Sequence, residues 1–212
     1  MLAFTSGMVM TASPSIVILA AGPSRRFGAA GQKLTQTLGT RSVLGHTIHQ
    51  AMATGWPLCV VLTPALVPLA SPWVATRDLV VLDVDEAARG LGHSIAAGVA
   101  AHGAAPGWVT LPGDMPLVQA ASIIAVGRAL AEHPVAYAQH QGRAGYPQAF
   151  GAELFSELVA LEGEAGARRL MARYPAAAVD LDDPGVLLDV DTEADLAALR
   201  AAMAQEGSSA AH

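Results

Sequence analysis

The sequence predicts an α/β fold: a single doubly wound, mostly parallel sheet with helices on both faces. Three observations carry that prediction. Short apolar runs, the pattern of strands buried on both faces, recur at residues 16–19, 58–62 and 79–82, and 108–111 reads as a fourth strand. Helical patterns of roughly ten residues alternate with them, as in βαβ units. The composition, 52% hydrophobic and 14% charged over 212 residues, suits one packed domain and not a disordered chain. Neither a repeat nor a linker divides the sequence. Residues 15–204 are therefore expected to form one domain, with 1–14 and 205–212 as loose termini.

The first run, 16–19, opens into a loop holding Gly22, Ser24, Arg25, Arg26, Gly28, Gly31 and Lys33. Residues 42–54 carry Val43, Leu44, Ile48, Ala51 and Met52 at helical spacing, with Gly55 as the stop. The second strand, 58–63, precedes a segment broken by Pro64 and Pro68. A third buried strand, 79–82, ends in Asp83-Val84-Asp85, and a loop through Gly90 and Gly92 leads into a helix over 94–102. Strand 108–111 runs into Pro112-Gly113-Asp114-Met115-Pro116. Helix 119–132 follows, with Ile123, Ile124, Val126, Gly127 and Leu130 on its buried side. Residues 134–139 read as a strand; Gly142 to Pro147 breaks the alternation, and Phe150 closes a short strand. Helices over 153–161 and 165–174, strands over 176–181 and 186–190, and a helix over 192–203 complete the chain.

Bulk properties exclude several classes of function. The net charge of −6 argues against a general binder of nucleic acid or anionic membranes, so any positive potential must be local. A single cysteine, Cys59, excludes a disulfide framework and a cysteine zinc cluster, and its apolar run makes it a small buried side chain. The most apolar stretch, 57–70, is interrupted by prolines, and 1–14 lacks the regions of a secretory signal. A cytoplasmic location is the resulting expectation.

The opening loop points to phosphate. Glycines let backbone N–H groups approach a phosphate chain, and nearby cations neutralise it. Lys33 is the only lysine among the twelve Lys and Arg residues, a compact ammonium kept beside a glycine loop. The alternative is a surface loop with a chance cluster of charge. Familiar signatures fail here: Gln32 and Leu34 break a Walker A loop around Lys33, and Ile95 breaks a dinucleotide fingerprint starting at Gly90. A nucleophile elbow built on Gly22 and Ser24 would need glycine where Arg26 stands.

What remains is a set of loops at the C-terminal ends of strands, where open parallel sheets bind ligands. Asp114 and Asp191 are candidate Mg²⁺ ligands on two such loops. The competing readings are a turn residue for Asp114 and a helix N-cap for Asp191, since Thr192 and Asp195 begin a helix. Asp83 and Asp85 read as solvated turn carboxylates, and His93 as a solvent-facing loop histidine in preference to a contact with a base or phosphate. The remaining histidines have no metal spacing beyond a loose pair at His46 and His49.

In their order these loops resemble the MobA-like nucleotidyltransferase family, particularly its molybdopterin cytidylyltransferase branch. The resemblance lies in Leu19-Ala20-Ala21-Gly22-Pro23-Ser24-Arg25-Arg26-Phe27-Gly28 followed by Lys33, Gly90-Leu91-Gly92-His93-Ser94, and Leu111-Pro112-Gly113-Asp114-Met115-Pro116. It continues through residues 145–151 and 163–168, which resemble two later segments on the acceptor side, and Asp189-Val190-Asp191-Thr192. Four residues, Ala29 to Gln32, separate Gly28 from Lys33, a longer approach than the family usually has. The resemblance implies a Rossmann-like nucleotidyltransferase fold and transfer of CMP, less readily GMP, from an NTP to a phosphorylated acceptor with release of pyrophosphate. The acceptor it implies is molybdopterin, with delivery to a molybdenum hydroxylase or its chaperone.

The same resemblance assigns roles residue by residue. Lys33 and Arg26 are implied to be catalytic. Leu19, Ala20, Ala21, Gly22, Ser24, Arg25, Gly28, Gly90 and Ser94 would bind the nucleotide. Asp114 and Asp191 would hold Mg²⁺, with Asp189 an open alternative to Asp191. Three other readings stay open: a cytidylyltransferase for a sugar or isoprenoid phosphate, an Asp-x-Asp glycosyltransferase, and a non-catalytic cofactor carrier.

Overall fold

The protein is described from a computed structural model covering residues 12–22, 27 and 32–209. The chain begins with β1 (Ser15–Ala20), a two-stranded ribbon β2 (Thr37–Leu38) and β3 (Arg41–Ser42), and helix α1 (Val43–Ala53). Strand β4 (Leu58–Leu62), the short helix α2 (Val67–Ala70), β5 (Leu79–Val81), α3 (Val84–Ala88) and α4 (Leu91–Ala101) follow. Next come β6 (Gly107–Pro112), α5 (Ala120–Arg128), β7 (Val135–His140) and β8 (Arg143–Gly151). The chain finishes with α6 (Phe155–Leu158), α7 (Gly166–Arg173), β9 (Ala176–Asp180) and α8 (Glu193–Ser209).

Seven strands form one sheet in the order β5-β4-β1-β6-β8-β7-β9. β1 lies between parallel β4 and β6, and every one of its residues is buried. Strict alternation divides it between two cores. Ile16, Ile18 and Ala20 pack with α1, α5 and α8 through Ile48, Ile123 and Leu196. Val17 and Leu19 pack with α4, α6 and α7 through Val99, Leu158 and Leu170. β8 alone runs against the rest, antiparallel to both β6 and β7, while β7 and β9 are parallel. The sheet is thus mostly parallel and covered on both faces, as expected. Gly98 brings α4 onto it: a Cβ there would lie 2.3 Å from Val17 Cγ1.

Several local expectations need correction. The run 79–82 is an edge strand, not a doubly buried one, and Val81 is 47% exposed because no strand lies beyond β5. Asp83 is exposed, as expected, but it also caps α3: it accepts from Glu86 N (2.8 Å) while Glu86 accepts from Asp83 N (2.9 Å). Helix α4 starts at Leu91, ahead of the expected 94, and α5 buries Ser122 where Ile124 was expected. The break read at 142–147 is absent. β8 is continuous, and its hairpin with β7 turns on Gln141 (φ 50°) and Gly142 (φ 76°), the positive pair that matches strand twist. The helix expected over 153–161 is only a 3-10 turn and the short α6.

Residues 186–190 do not form a strand. Val186 and Leu187 belong to a 3-10 turn (Pro184–Leu187) that crosses β8, where a Cβ on Gly145 would meet the Val186 carbonyl at 2.1 Å, and 188–190 follow it without strand pairing. Asp183 anchors this turn. It is 3% exposed and accepts from Gln119 N (3.0 Å), Ser122 Oγ (2.6 Å) and Gly185 N (2.9 Å), which also satisfies the start of α5.

Candidate active site

A cavity of about 820 Å³ opens at the C-terminal ends of β1 and β6. Among its lining residues are Leu19, Ala20, Ala21, Gly22, Lys33, Gly90, Ser94, Asp114 and Asp191, which the sequence singles out from five separate segments. Ser24, Arg25, Arg26 and Gly28 lie outside the described residues. Phe27, between them, is 1% exposed and belongs to the core on the α1 side of the sheet.

Backbone contacts place the carboxylates. Gly113 N donates to Leu19 O (2.8 Å) and Thr47 Oγ1 donates to Gly113 O (3.0 Å), fixing the turn after β6 against β1 and α1. Val190 N then donates to Asp114 O at 2.9 Å, which ties the last loop to that turn. The N-cap of α8 is Thr192 and not Asp191: Thr192 Oγ1 accepts from Asp195 N (3.2 Å), and Asp195 Oδ2 accepts from Thr192 N (2.7 Å). The Asp191 carboxylate is therefore directed to Lys33 instead of the helix.

Lys33 starts a 3-10 turn (Lys33–Thr35), and its Nζ donates to Asp191 Oδ1 at 2.9 Å and to Asp114 Oδ2. Burial works against the charge on Lys33. Asp114 and then Asp191 more than offset this, so the ammonium holds its proton above the ordinary lysine range. Asp189 completes the group, with carboxylate oxygens of Asp114, Asp189 and Asp191 all within 4.8 Å of one another. Burial, and next the neighbouring Asp191, hold the Asp189 carboxyl above the ordinary carboxylate range. Three converging carboxylates that already attract an ammonium fit a hard divalent cation. The geometry includes Asp189 and Asp191 together.

The glycines do different jobs. Gly22 is exposed, and a Cβ there would meet nothing within 4 Å, which leaves the backbone open to a ligand. Gly90, at φ +98°, and Gly92 are needed for packing: their Cβ atoms would come within 2.7 Å of Gly163 C and 2.9 Å of Gly163 O. Gly92 N donates to Gly163 O (2.8 Å) and Gly163 N to Arg89 O (3.0 Å), so two loops clasp to make one wall of the cavity. Ser94 is 3% exposed on that wall. His93 lies in the first turn of α4 with Nε2 buried and without a hydrogen-bond partner; it is not a solvent-facing loop histidine.

The opposite side carries residues that the sequence reading did not single out. Arg143, Tyr146, Gln148, Glu164 and Arg168 line the cavity. Burial first, then the charge of Asp114, push the Tyr146 phenol up while Arg168 pulls it down, which places this ring among the charges of the site. The resemblance marks segments 145–151 and 163–168 as acceptor-side stretches without giving a role to any one residue in them. The one local signal was an arginine close behind a glycine in each region, Gly142-Arg143 and Gly166-Ala167-Arg168.

A seven-stranded, mostly parallel sheet with a cavity of about 820 Å³ at the ends of its strands, beside one lysine and three carboxylates, is a Rossmann-like nucleotidyltransferase fold. The MobA-like NTP transferase domain model matches residues 16–179, and the chain belongs to that family of nucleotidyltransferases. Rv0371c from Mycobacterium tuberculosis H37Rv superposes with a TM-score of 0.77 at 28% identity, over 90% of this chain and 98% of that one. The Rv0371c complex with manganese gives a TM-score of 0.73 at 26% identity, over 89% of this chain and 98% of that one. The molybdopterin-guanine dinucleotide biosynthesis protein A of Archaeoglobus fulgidus shares the fold alone, with a TM-score of 0.66 and 12% identity over 90% of this chain and 99% of that one. A search of curated protein sequences gives no significant match. Among the described residues, no helix is long and apolar enough to cross a membrane.

Proposed function

We propose that this nucleotidyltransferase moves CMP, in preference to GMP, from the NTP to a phosphorylated acceptor, with molybdopterin the acceptor of choice. The observation that carries the reading is the meeting of Lys33 with Asp114 and Asp191 at the mouth of a cavity large enough for two substrates. Preference for CTP rests on the Ala20-Ala21-Gly22 opening, which resembles the CTP-using branch of the family more than the Ala-Gly-Gly opening of guanylyltransferases.

In this reading the backbone from Leu19 to Gly22, with Ser24, Arg25, Arg26 and Gly28, holds the triphosphate, and Gly90 and Ser94 face the nucleoside. An acceptor phosphate oxygen attacks the α-phosphorus, the bond to the β-phosphate bridging oxygen breaks, and pyrophosphate leaves. The acceptor phosphate is already anionic at neutral pH, so no general base is needed. Lys33 stabilises the charge that grows on the α-phosphate. Asp114 and Asp191, with Asp189, would hold Mg²⁺ or Mn²⁺, which would supply charge neutralisation for the triphosphate. A manganese complex of the relative Rv0371c supports a divalent ion here. Arg143 and Arg168, both exposed at the rim, suit the anionic acceptor.

The test is a screen of the four NTPs for divalent-metal-dependent pyrophosphate release, with molybdopterin and simple sugar phosphates as acceptors. CTP with molybdopterin is expected to release most. Lys33→Ala is expected to lower kcat by about a hundredfold while changing substrate binding less. A sugar phosphate outperforming molybdopterin would move the protein to the sugar branch. Glycosyl transfer from a sugar nucleotide without pyrophosphate, or wild-type kcat in Lys33→Ala, would overturn the mechanism.

A further inference from the structure

The placement of Lys33 raises a question of occupancy. Its Nζ sits on Asp114 and Asp191, with the side chains of all three largely enclosed, at 13%, 16% and 20% exposure. A divalent ion bound through the same two oxygens, Asp114 Oδ2 and Asp191 Oδ1, would take the space that the ammonium fills, because a Mg²⁺–oxygen bond is only about 2.0–2.1 Å long. Both cations cannot use the same oxygens. Without any cation, three carboxylates within 4.8 Å of one another would repel.

We propose that Lys33 is the site's own stand-in cation: it holds the metal-binding aspartates together until a divalent ion displaces it, and that displacement frees the ammonium for the phosphates. The inference rests on the metal reading given under Proposed function. An ammonium suits this task, since its three donors on a flexible stem can serve two carboxylates and then swing away. Lys33 sits directly at the junction: Asp114 comes from the turn after β6, and Asp191 from the loop before α8. The metal's arrival and the lysine's reach toward the substrate become one event. One residue thus serves as a positioning group before loading and as a catalytic group after it.

The experiment needs neither acceptor nor turnover. Mn²⁺ binding to the nucleotide-free protein is followed by the electron paramagnetic resonance of the free ion. Lys33→Met is expected to bind Mn²⁺ at least about fivefold more tightly than wild type, the low end of a coupling between two ligands of one site. Lys33→Arg should retain the wild-type weakness. Because the chain has one lysine, protein labelled with ζ-¹⁵N lysine gives a single ammonium resonance. Titration of wild type with diamagnetic Mg²⁺ should shift that resonance with the midpoint of metal binding. Equal Mn²⁺ affinities in wild type and Lys33→Met, no binding by Lys33→Met at millimolar Mn²⁺, or an unmoved lysine resonance at saturating Mg²⁺ would each overturn the proposal. Asp114→Asn in the Lys33→Met background separates the two readings. If it leaves Mn²⁺ affinity intact, the metal site itself is misassigned; if it abolishes binding while Lys33→Met matches wild type, only the displacement fails.

Discussion

At the scale of single residues, the same side-chain types are put to opposite uses by their surroundings. Lys33 is enclosed yet kept charged, because two carboxylates outweigh the burial. Cys59 is fully buried in β4 without such help, and its Sγ–H donates weakly to Gly98 O at 3.6 Å. Burial, and secondarily the charge of Asp78, push its thiol up to about 12. A raised value keeps the thiol protonated through the whole neutral range, so the reactive thiolate is absent at pH 8. Native protein at pH 8 is therefore expected to give no reaction with an aromatic disulfide reagent, and stoichiometric reaction only on unfolding. Rapid labelling of native protein would contradict the burial. The apolar run around Cys59 announced this environment. Nothing in the run 111–116 announced that Asp114 would meet a lysine.

At the scale of elements, small residues set how closely the layers approach. Helix α4 crosses the sheet at Gly98, where a Cβ would stand 2.3 Å from Val17 Cγ1 and 2.9 Å from Val61 Cγ2. Both neighbours are β-branched side chains in buried parallel strands, with no room to turn away. Gly98→Ala is expected to destabilise the fold by about 1–3 kcal/mol, measured by urea denaturation, through overpacking that outweighs the gain in helix propensity. A stability equal to wild type would mean that α4 rides further from the sheet. The helices and parallel strands could be read because their apolar spacing is local. Strand β8 could not, since Gly145 and Pro147 look like a break until β6 and β7 pair on either side. The run 186–190 has the apolar look of a strand but finds no strand to pair with, and Asp183 turns it across the sheet instead.

At the scale of the whole molecule, the site exists only when the sheet is complete. Lys33 lies 81 positions from Asp114 and 158 from Asp191, so the pair contacts close most of the chain. A ligand that binds this assembly and not the unfolded chain must stabilise everything between. Mn²⁺ with CTP at about a hundred times its dissociation constant is expected to add about 2.7 kcal/mol, read as a rise in the thermal midpoint. Asp114→Asn should lose most of that rise. Full retention would place the ligand elsewhere.

The sequence by itself determined the class of sheet, the opening loop, the two separate aspartate loops and the family to which they belong. Each of these is written in local pattern: apolar period, glycine placement, a carboxylate just past a strand. Tertiary structure alone decided that Asp189 joins Asp114 and Asp191, that Gly90 and Gly92 serve the clasp with Gly163, and that Lys33 spans two carboxylates. The physical reason is that these are distances across the sheet. They follow from the order in which strands pair, and no spacing along the chain records that order.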